Sequence, residues 1–194
     1  MRPLDARVQD GPSSGVDALA LETYAVEVSL ILRELGIPET YGVDRRLALQ
    51  PEATELVVAG RDIYDRELRL QPVAAAGWES IQKSARRDGI VLQLVSGFRS
   101  VEYQRGIIPR TLAKGLHSQE ILRSSAAPGY SEHHTGRAID VTTPGSQPVE
   151  VEFEHTLAFG WLRENARAHG FRMSYPKGNP HGVVYEPWHW FFEG

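Results

Sequence analysis

Apolar positions first recur at helical spacing in Tyr24, Val28, Ile31, Leu32 and Leu35, and Gly36-Ile37-Pro38 follows as a stop. The pattern predicts one amphipathic helix over 16–35, after a Gly/Ser/Pro-containing start at Gly11 to Gly15. Residues 40–71 alternate less cleanly. Leu47-Ala48-Leu49 and Leu68-Arg69-Leu70 suit short strands flanking Gly60-Arg61-Asp62. Val73, Ala76, Gly77, Ile81 and Ala85 fall on one face of a second helix that ends at Asp88-Gly89, and 90–95 read as a buried strand. Ser96-Gly97 breaks that strand, Ser100 can cap a helix running through Gln104, and Ala126-Ala127-Pro128-Gly129 opens an irregular loop.

From Arg137 the period switches to two. Ala138, Asp140 and Thr142 share one face of a strand and Ile139 and Val141 the other, so burial of the aliphatic pair turns Asp140 toward a cleft. Residues 151–169 read as helix, with Trp161, Leu162, Ala166 and His169 in helical register and Gly170 as its cap. Segments 171–174, 182–185 and 188–192 suit short strands, and no internal repeat interrupts the series. The expected class is α+β, a small antiparallel sheet with flanking helices and a site in a cleft on the sheet.

Composition narrows the chemistry. With 41% hydrophobic and 24% charged residues over 194 positions, the chain belongs with ordinary folded domains and not with disordered ones. Twenty-one basic against 25 acidic residues give a net charge of -4 with no basic stripe, so neither nucleic acid nor an anionic membrane is an expected partner. No stretch approaches the roughly 18 apolar residues of a membrane span. Met1 to Arg7 lack the apolar core of a secretory signal, so the expected location is the bacterial cell envelope if a signal was removed, and the cytoplasm otherwise. Cysteine is absent, which excludes disulfides, thiolate nucleophiles and sulfur-ligated metals; any metal must sit on His and carboxylate.

Chemically capable residues concentrate in three segments: Ser96-Gly97-Phe98-Arg99-Ser100, Ser131 through Asp140, and Glu186-Pro187-Trp188-His189-Trp190. A catalytic zinc takes about three protein ligands with one position open, and His133, Asp140 and His189 would fill such a set. Gly136 lets the backbone turn sharply between the first two. Glu186 and His189 would face opposite sides of a plain strand, but Pro187 at the second position of a β-turn brings them within about 7 Å. Glu186 can then act as the base that takes a proton from water activated at the metal.

These motifs, Ser131-x-His133-x-x-Gly136-x-Ala138-x-Asp140 followed by Glu186-x-Trp188-His189 and preceded by Ser-Gly-Phe-Arg99-Ser, resemble the zinc D-alanyl-D-alanine carboxypeptidases related to VanY. That family shares its fold with VanX dipeptidases and hedgehog-type domains. The resemblance covers roughly 70–194 and extends to Gly160-Trp161-Leu162, Gly170-Phe171 and Tyr175-Pro176. It implies Zn²⁺ on His133, Asp140 and His189, Glu186 as catalytic base, and Arg99 against the substrate or its developing oxyanion. Gln104, Tyr130, Ser131 and Trp188 join Arg99 as expected substrate contacts. It also implies a division into 1–70, an extension packed on the core, and 71–194, the catalytic unit.

Blander readings hold for the remaining histidines: His117, His155 and His181 as surface residues, His169 as a helix C-terminal group, and His134 as a neighbour that breaks the spacing to Asp140. Trp188 and Trp190 suit core or cleft wall, and Ser131 and Tyr130 can equally hold loop backbone. Ser80-Ile81-Gln82-Lys83 matches a serine-type Ser-x-x-Lys but lacks the accompanying Lys-Thr-Gly and Ser-x-Asn. The expected function is hydrolysis of a terminal D-Ala from peptidoglycan stem peptides by a monomer. Its alternatives are an endopeptidase, a DD-dipeptidase, or a non-catalytic zinc-stabilised binding domain.

Overall fold

Helix α1 (Ser14–Glu34) ends where Gly36 takes a left-handed φ of 66°, and the short α2 (Tyr41–Arg45) follows. The computed structural model describes residues 14–112 and 118–194; the readings made for Met1 to Arg7 and His117 lie outside them. A hairpin of β1 (Val57–Arg61) and β2 (Glu67–Leu70) leads into α3 (Pro72–Arg87) and then β3 (Gln93–Ser96). Next come α4 (Val101–Leu112), where the Ser100 hydroxyl accepts from the Tyr103 N–H at 3.0 Å, and α5 (Ser118–Ser124). The remainder is β4 (Ala138–Thr142), α6 (Leu157–Asn165), β5 (Phe171–Met173) and β6 (His189–Phe192).

Four of these strands form one antiparallel sheet in the order β3-β4-β6-β5. All five β4 residues are buried. Ile139 and Val141 point into a core with Leu70, Trp78, Ile81, Leu94, Phe171 and Trp190, so the opposite face of β4 carries Asp140. At about 1.5–3 kcal/mol per fully buried large side chain, that cluster holds the sheet against α3 and α6. A second core joins Val28 and Leu32 to Tyr41, Ile108, Ile121 and Tyr130, and so packs the helices α1, α2, α4 and α5 together. No helix among the described residues is long and apolar enough to cross a membrane.

The structure corrects several local expectations. Leu47-Ala48-Leu49 forms no strand: both leucines pack on the second core, and the partner of β2 is Val57–Arg61. That strand is largely solvated and bulged between Val58 and Gly60, so no clean alternation marks it in the sequence. The buried face of α3 is Ala74, Trp78, Ile81 and Ala85; Val73 and Ala76 lie on the exposed side. The stretch 151–169 is three pieces, not one helix. Extended backbone at Thr156 divides a 3₁₀ turn (Val151–His155) from α6, and the Thr156 hydroxyl caps α6 by accepting from the Phe159 N–H at 3.1 Å. A further 3₁₀ turn (Ala166–His169) ends at Gly170, φ 81°. Residues 182–185 carry no ladder; a single bond from the Val184 N–H to the Arg123 carbonyl ties them to α5.

One glycine holds the site loop. Gly136 closes the 3₁₀ turn Glu132–Thr135 at φ 65°, its carbonyl accepts from the Gln71 N–H at 2.8 Å, and a Cβ there would stand 3.0 Å from that nitrogen. Gly136→Ala is therefore expected to destabilise the protein by about 1–2 kcal/mol from the left-handed backbone alone. Urea denaturation should show a lower midpoint with an unchanged slope.

Candidate active site

The pairing of β4 with β6 places Asp140 directly opposite His189, so their side chains share one face of the sheet. His133 arrives from the 3₁₀ turn that precedes β4. Ligand atoms of His133, Asp140 and His189, all buried, lie within 4.8 Å of one another. The His133 Nδ1 is 2.7 Å from the Gly97 carbonyl, which can only accept, so that nitrogen carries the proton and Nε2 keeps its lone pair. Nε2 lies 3.3 Å from an Asp140 carboxylate oxygen, yet makes no hydrogen bond among the described residues. A buried acceptor left without a donor, beside an anion, suits a divalent ion held by two imidazoles and a carboxylate.

His189 presents Nδ1 to Asp140 at 3.0 Å and Nε2 to Glu132 at 2.8 Å. Burial alone would lower its pKa, but the two carboxylates push it up to about 10. Burial, helped by the Arg99 and His189 charges, outweighs the opposing pull of the single carboxylate Asp140 and brings His133 down to about 4. Asp140 is held well below the usual carboxylate range by both imidazoles, although its burial works the other way. Glu132 likewise falls to about 2 against its own burial, because His189, Ser174 and Arg172 all contact its carboxylate.

Glu186 sits across the cavity. Its carbonyl accepts from the His189 N–H at 3.2 Å, which closes the turn over Pro187 and brings its carboxylate 3.9 Å from the His189 Nδ1. Burial raises its pKa to about 7; the Asp140 and Glu132 charges add to this, while His189 and Arg99 oppose it. A carboxylate poised there can take up and release a proton near neutrality.

The cavity holding these groups measures ≈ 310 Å³ and is also lined by Arg99, Ser131 and Trp188. Arg99 lines this cavity, and its buried Nε has no hydrogen-bond partner among the described residues. Tyr130 and Gln104 do not line this cavity. Tyr130 packs edge-on against Tyr41, and the buried Gln104 amide donates to the Ser125 hydroxyl and the Ala126 carbonyl, holding a loop that does. A larger groove of ≈ 880 Å³ runs along 89–91 and 143–158 and contains no such cluster.

Three contributions escaped sequence reasoning. Tyr175 lines the cavity with its ring 5.0 Å from that of His189, and Val183 and Val184 form a wall from a segment read as strand. Val149 lines it too, at a φ of 54° that a β-branched residue rarely adopts. His134 stays out of the cluster: its Nδ1 donates to the Arg99 carbonyl at 2.6 Å and its Nε2 accepts from the Gly129 N–H at 3.1 Å. The other histidines are engaged elsewhere, His169 with the Ser80 hydroxyl and His181 with the Arg45 carbonyl, while His155 is exposed.

A cluster of two imidazoles and one carboxylate that could hold a metal ion, with a buried carboxyl beside it, is thus set on a small antiparallel sheet. The family model for VanY, D-alanyl-D-alanine carboxypeptidase, matches residues 67–194, and the chain belongs to that family. It is 34% identical over 181 residues to YodJ of Bacillus subtilis (strain 168), covering 86% of this chain and 60% of that one. It is 31% identical over 182 residues to a D-alanyl-D-alanine carboxypeptidase of Enterococcus faecalis (strain ATCC 700802 / V583), covering 87% and 59%. The chain therefore spans about three fifths of the length of these relatives. Among solved structures it resembles the LD-carboxypeptidase LdcB, with a TM-score of 0.66, 28% identity, and 74% and 70% of the two chains covered. It also resembles a VanY D,D-pentapeptidase variant in complex with Zn(II), with a TM-score of 0.57, 27% identity, and 77% and 88% covered.

The contacts predict different fates for adjacent histidines. His133→Ala and His189→Ala should each abolish stoichiometric zinc retention, read by elemental analysis after loading and desalting. His134→Ala should keep the metal but lose about 1–3 kcal/mol of stability, since the Gly129 N–H and the Arg99 carbonyl are left buried and unpaired.

Proposed function

We propose that this chain is a zinc-dependent carboxypeptidase that releases the terminal D-alanine of a peptidoglycan stem peptide. The observation that carries the reading is the buried His133, Asp140 and His189 cluster with Glu186 and the unpaired Arg99 Nε in one cavity. Residues 71–194 would be its catalytic unit, with 1–70 as the packed extension. Zinc on the three ligands would supply Lewis acidity, acidifying a water and polarising the scissile carbonyl. Glu186 takes the proton from the attacking water and returns it to the leaving amine; its pKa of about 7 permits both transfers. The Arg99 guanidinium faces the anion, either the oxyanion as it develops or the free C-terminal carboxylate. Ser131 and Trp188 bound the space the peptide would occupy.

A second reading keeps the product and changes the bond. The TM-score to LdcB, an LD-carboxypeptidase, is 0.66, against 0.57 for the VanY variant. A tetrapeptide whose terminal D-Ala follows an L-configured centre is then the substrate, in place of a D-Ala-D-Ala pentapeptide. Mass spectrometry of products from the two defined muropeptides separates these: loss of one alanine from the pentapeptide alone supports the first, loss from the tetrapeptide alone the second. Cleavage inside the stem, or of the free dipeptide only, points to an endopeptidase or a dipeptidase. Zinc binding without turnover points to a binding domain.

Two variants test the assigned roles. Glu186→Gln should lower kcat by about 100-fold or more with zinc still bound, since only the proton acceptor is removed. For Arg99, the comparison is between a peptide acid and its C-terminal amide. If the guanidinium reads the carboxylate, amidation costs the wild type about 2–4 kcal/mol of transition-state binding, and Arg99→Ala erases most of that difference. Equal slowing of both substrates by Arg99→Ala assigns it to the oxyanion instead.

A further inference from the structure

Glu132 lies one residue before His133, and it is neither in the ligand cluster nor free to act on a substrate. Its Oε2 stands 2.8 Å from the His189 Nε2 and also accepts from the Ser174 hydroxyl; its Oε1 accepts from an Arg172 Nη at 3.2 Å. Arg172 in turn donates to Ser174 at 2.9 Å and to Glu193 at 2.6 Å, so the carboxylate is clamped from a neighbouring strand. The side chain is only 10% exposed, and both of its oxygens are engaged. A fully occupied carboxylate makes a poor proton shuttle and a good fixed acceptor.

We infer that Glu132 is a positioning residue that holds the Nε2–H of His189 and thereby commits the His189 Nδ1, the nitrogen beside Asp140, to the metal. This rests on the reading that zinc sits among His133, Asp140 and His189. The two imidazoles are then oriented in complementary ways. His133 is fixed through Nδ1 by the Gly97 carbonyl and offers Nε2, whereas His189 is fixed through Nε2 by Glu132 and offers Nδ1. Outer carboxylates of this kind set ring orientation and tautomer and raise the donor strength of the ligand. Ser174 and Arg172, about 40 residues downstream, complete the clamp and give β5 a part in metal binding that its distance from the ligand motifs conceals.

Zinc affinity, read by competition with a chromogenic chelator on the full chain, tests the assignment without reference to turnover. Glu132→Ala should weaken zinc binding by about 10–100-fold, and Glu132→Gln, which keeps a neutral acceptor, should fall between it and the wild type. With zinc in excess, Glu132→Ala should recover most of its kcat, unlike Glu186→Gln. Nitrogen-15 NMR of the zinc-loaded wild type needs no variant: His189 should carry its proton on Nε2 and the metal on Nδ1. The reverse tautomer overturns the inference, as does unchanged affinity in a folded Glu132→Ala protein. So does a kcat that stays abolished in that variant when zinc is saturating. If the wild type binds no zinc, the metal reading itself fails; if it binds zinc tightly and only the Glu132 results go against expectation, that reading stands and this inference falls alone.

Discussion

The register between β4 and β6 is the constraint on which the site depends. With Asp140 opposite His189 and Ile139 opposite Trp190, the same pairing that seals the aliphatic face into the core sets a carboxylate and an imidazole side by side on the other face. A slip of one residue would exchange the faces, driving Asp140 into the hydrophobic cluster and Ile139 into the cavity. Core packing therefore protects the chemistry. The large apolar residues around Trp190 make every alternative register expensive, and the polar cluster needs only to be compatible with the one that remains.

Placing three carboxyl groups in so small a space is costly unless each has partners. The partners are unequal, and the inequality gives each group its character. Asp140 faces two imidazoles, and Glu132 is held by His189, Ser174 and Arg172; both stay ionised despite burial. Among the described residues Glu186 meets no cation closer than the His189 Nδ1 at 3.9 Å, and it alone of the three is driven up to about 7. In the mechanism proposed above, the well-paired anions hold position while the poorly paired one exchanges protons, and environments that separate such pKa values mark acid–base assignments. His133 and His189 split in the same way: the first has one carboxylate, too little against burial and the Arg99 charge, and falls to about 4, while the second lies between two carboxylates and rises to about 10.

Much of this was legible because short motifs carry their own geometry. The period-two pattern around Asp140 says which way that side chain faces, and the Pro187 turn says how Glu186 and His189 can converge; the structure brings these residues and His133 into one cavity. What stayed hidden depends on long-range contact or on weak burial. No local pattern joins Glu132 to Ser174 and Arg172, and β1, solvated on much of its length and bulged between Val58 and Gly60, offers no alternation to read. The break at Thr156 escaped because the apolar residues on either side keep a helical rhythm while a threonine cap starts the count afresh. Gln104 and Tyr130 lie near the site in the chain, but the Gln104 Nε2 is engaged by the 125–126 loop and the Tyr130 ring by Tyr41.

The segment between α2 and β1 ties the site loops to the start of α4 through hydrogen bonds. The Gln50 N–H donates to the Gly129 carbonyl and the Ala53 N–H to the His134 carbonyl, both at 2.8 Å, and the Glu52 carboxylate accepts from the Val101 N–H at the start of α4. His134 then links the Gly129 loop to the Arg99 carbonyl, while the Arg99 N–H donates to the His133 carbonyl at 3.2 Å. Arg99 is thus tied on one side to the ligand turn and on the other to a loop buttressed by residues 50–53, which precede the matched region 67–194. Misplacement of a reacting or binding group by about 1 Å can cost about 100-fold in rate. The second core, by fixing where 129–134 lies, therefore bears on the distance between the guanidinium and the ligand cluster. The sheet sets the ligands, and the helices set the cation that faces them.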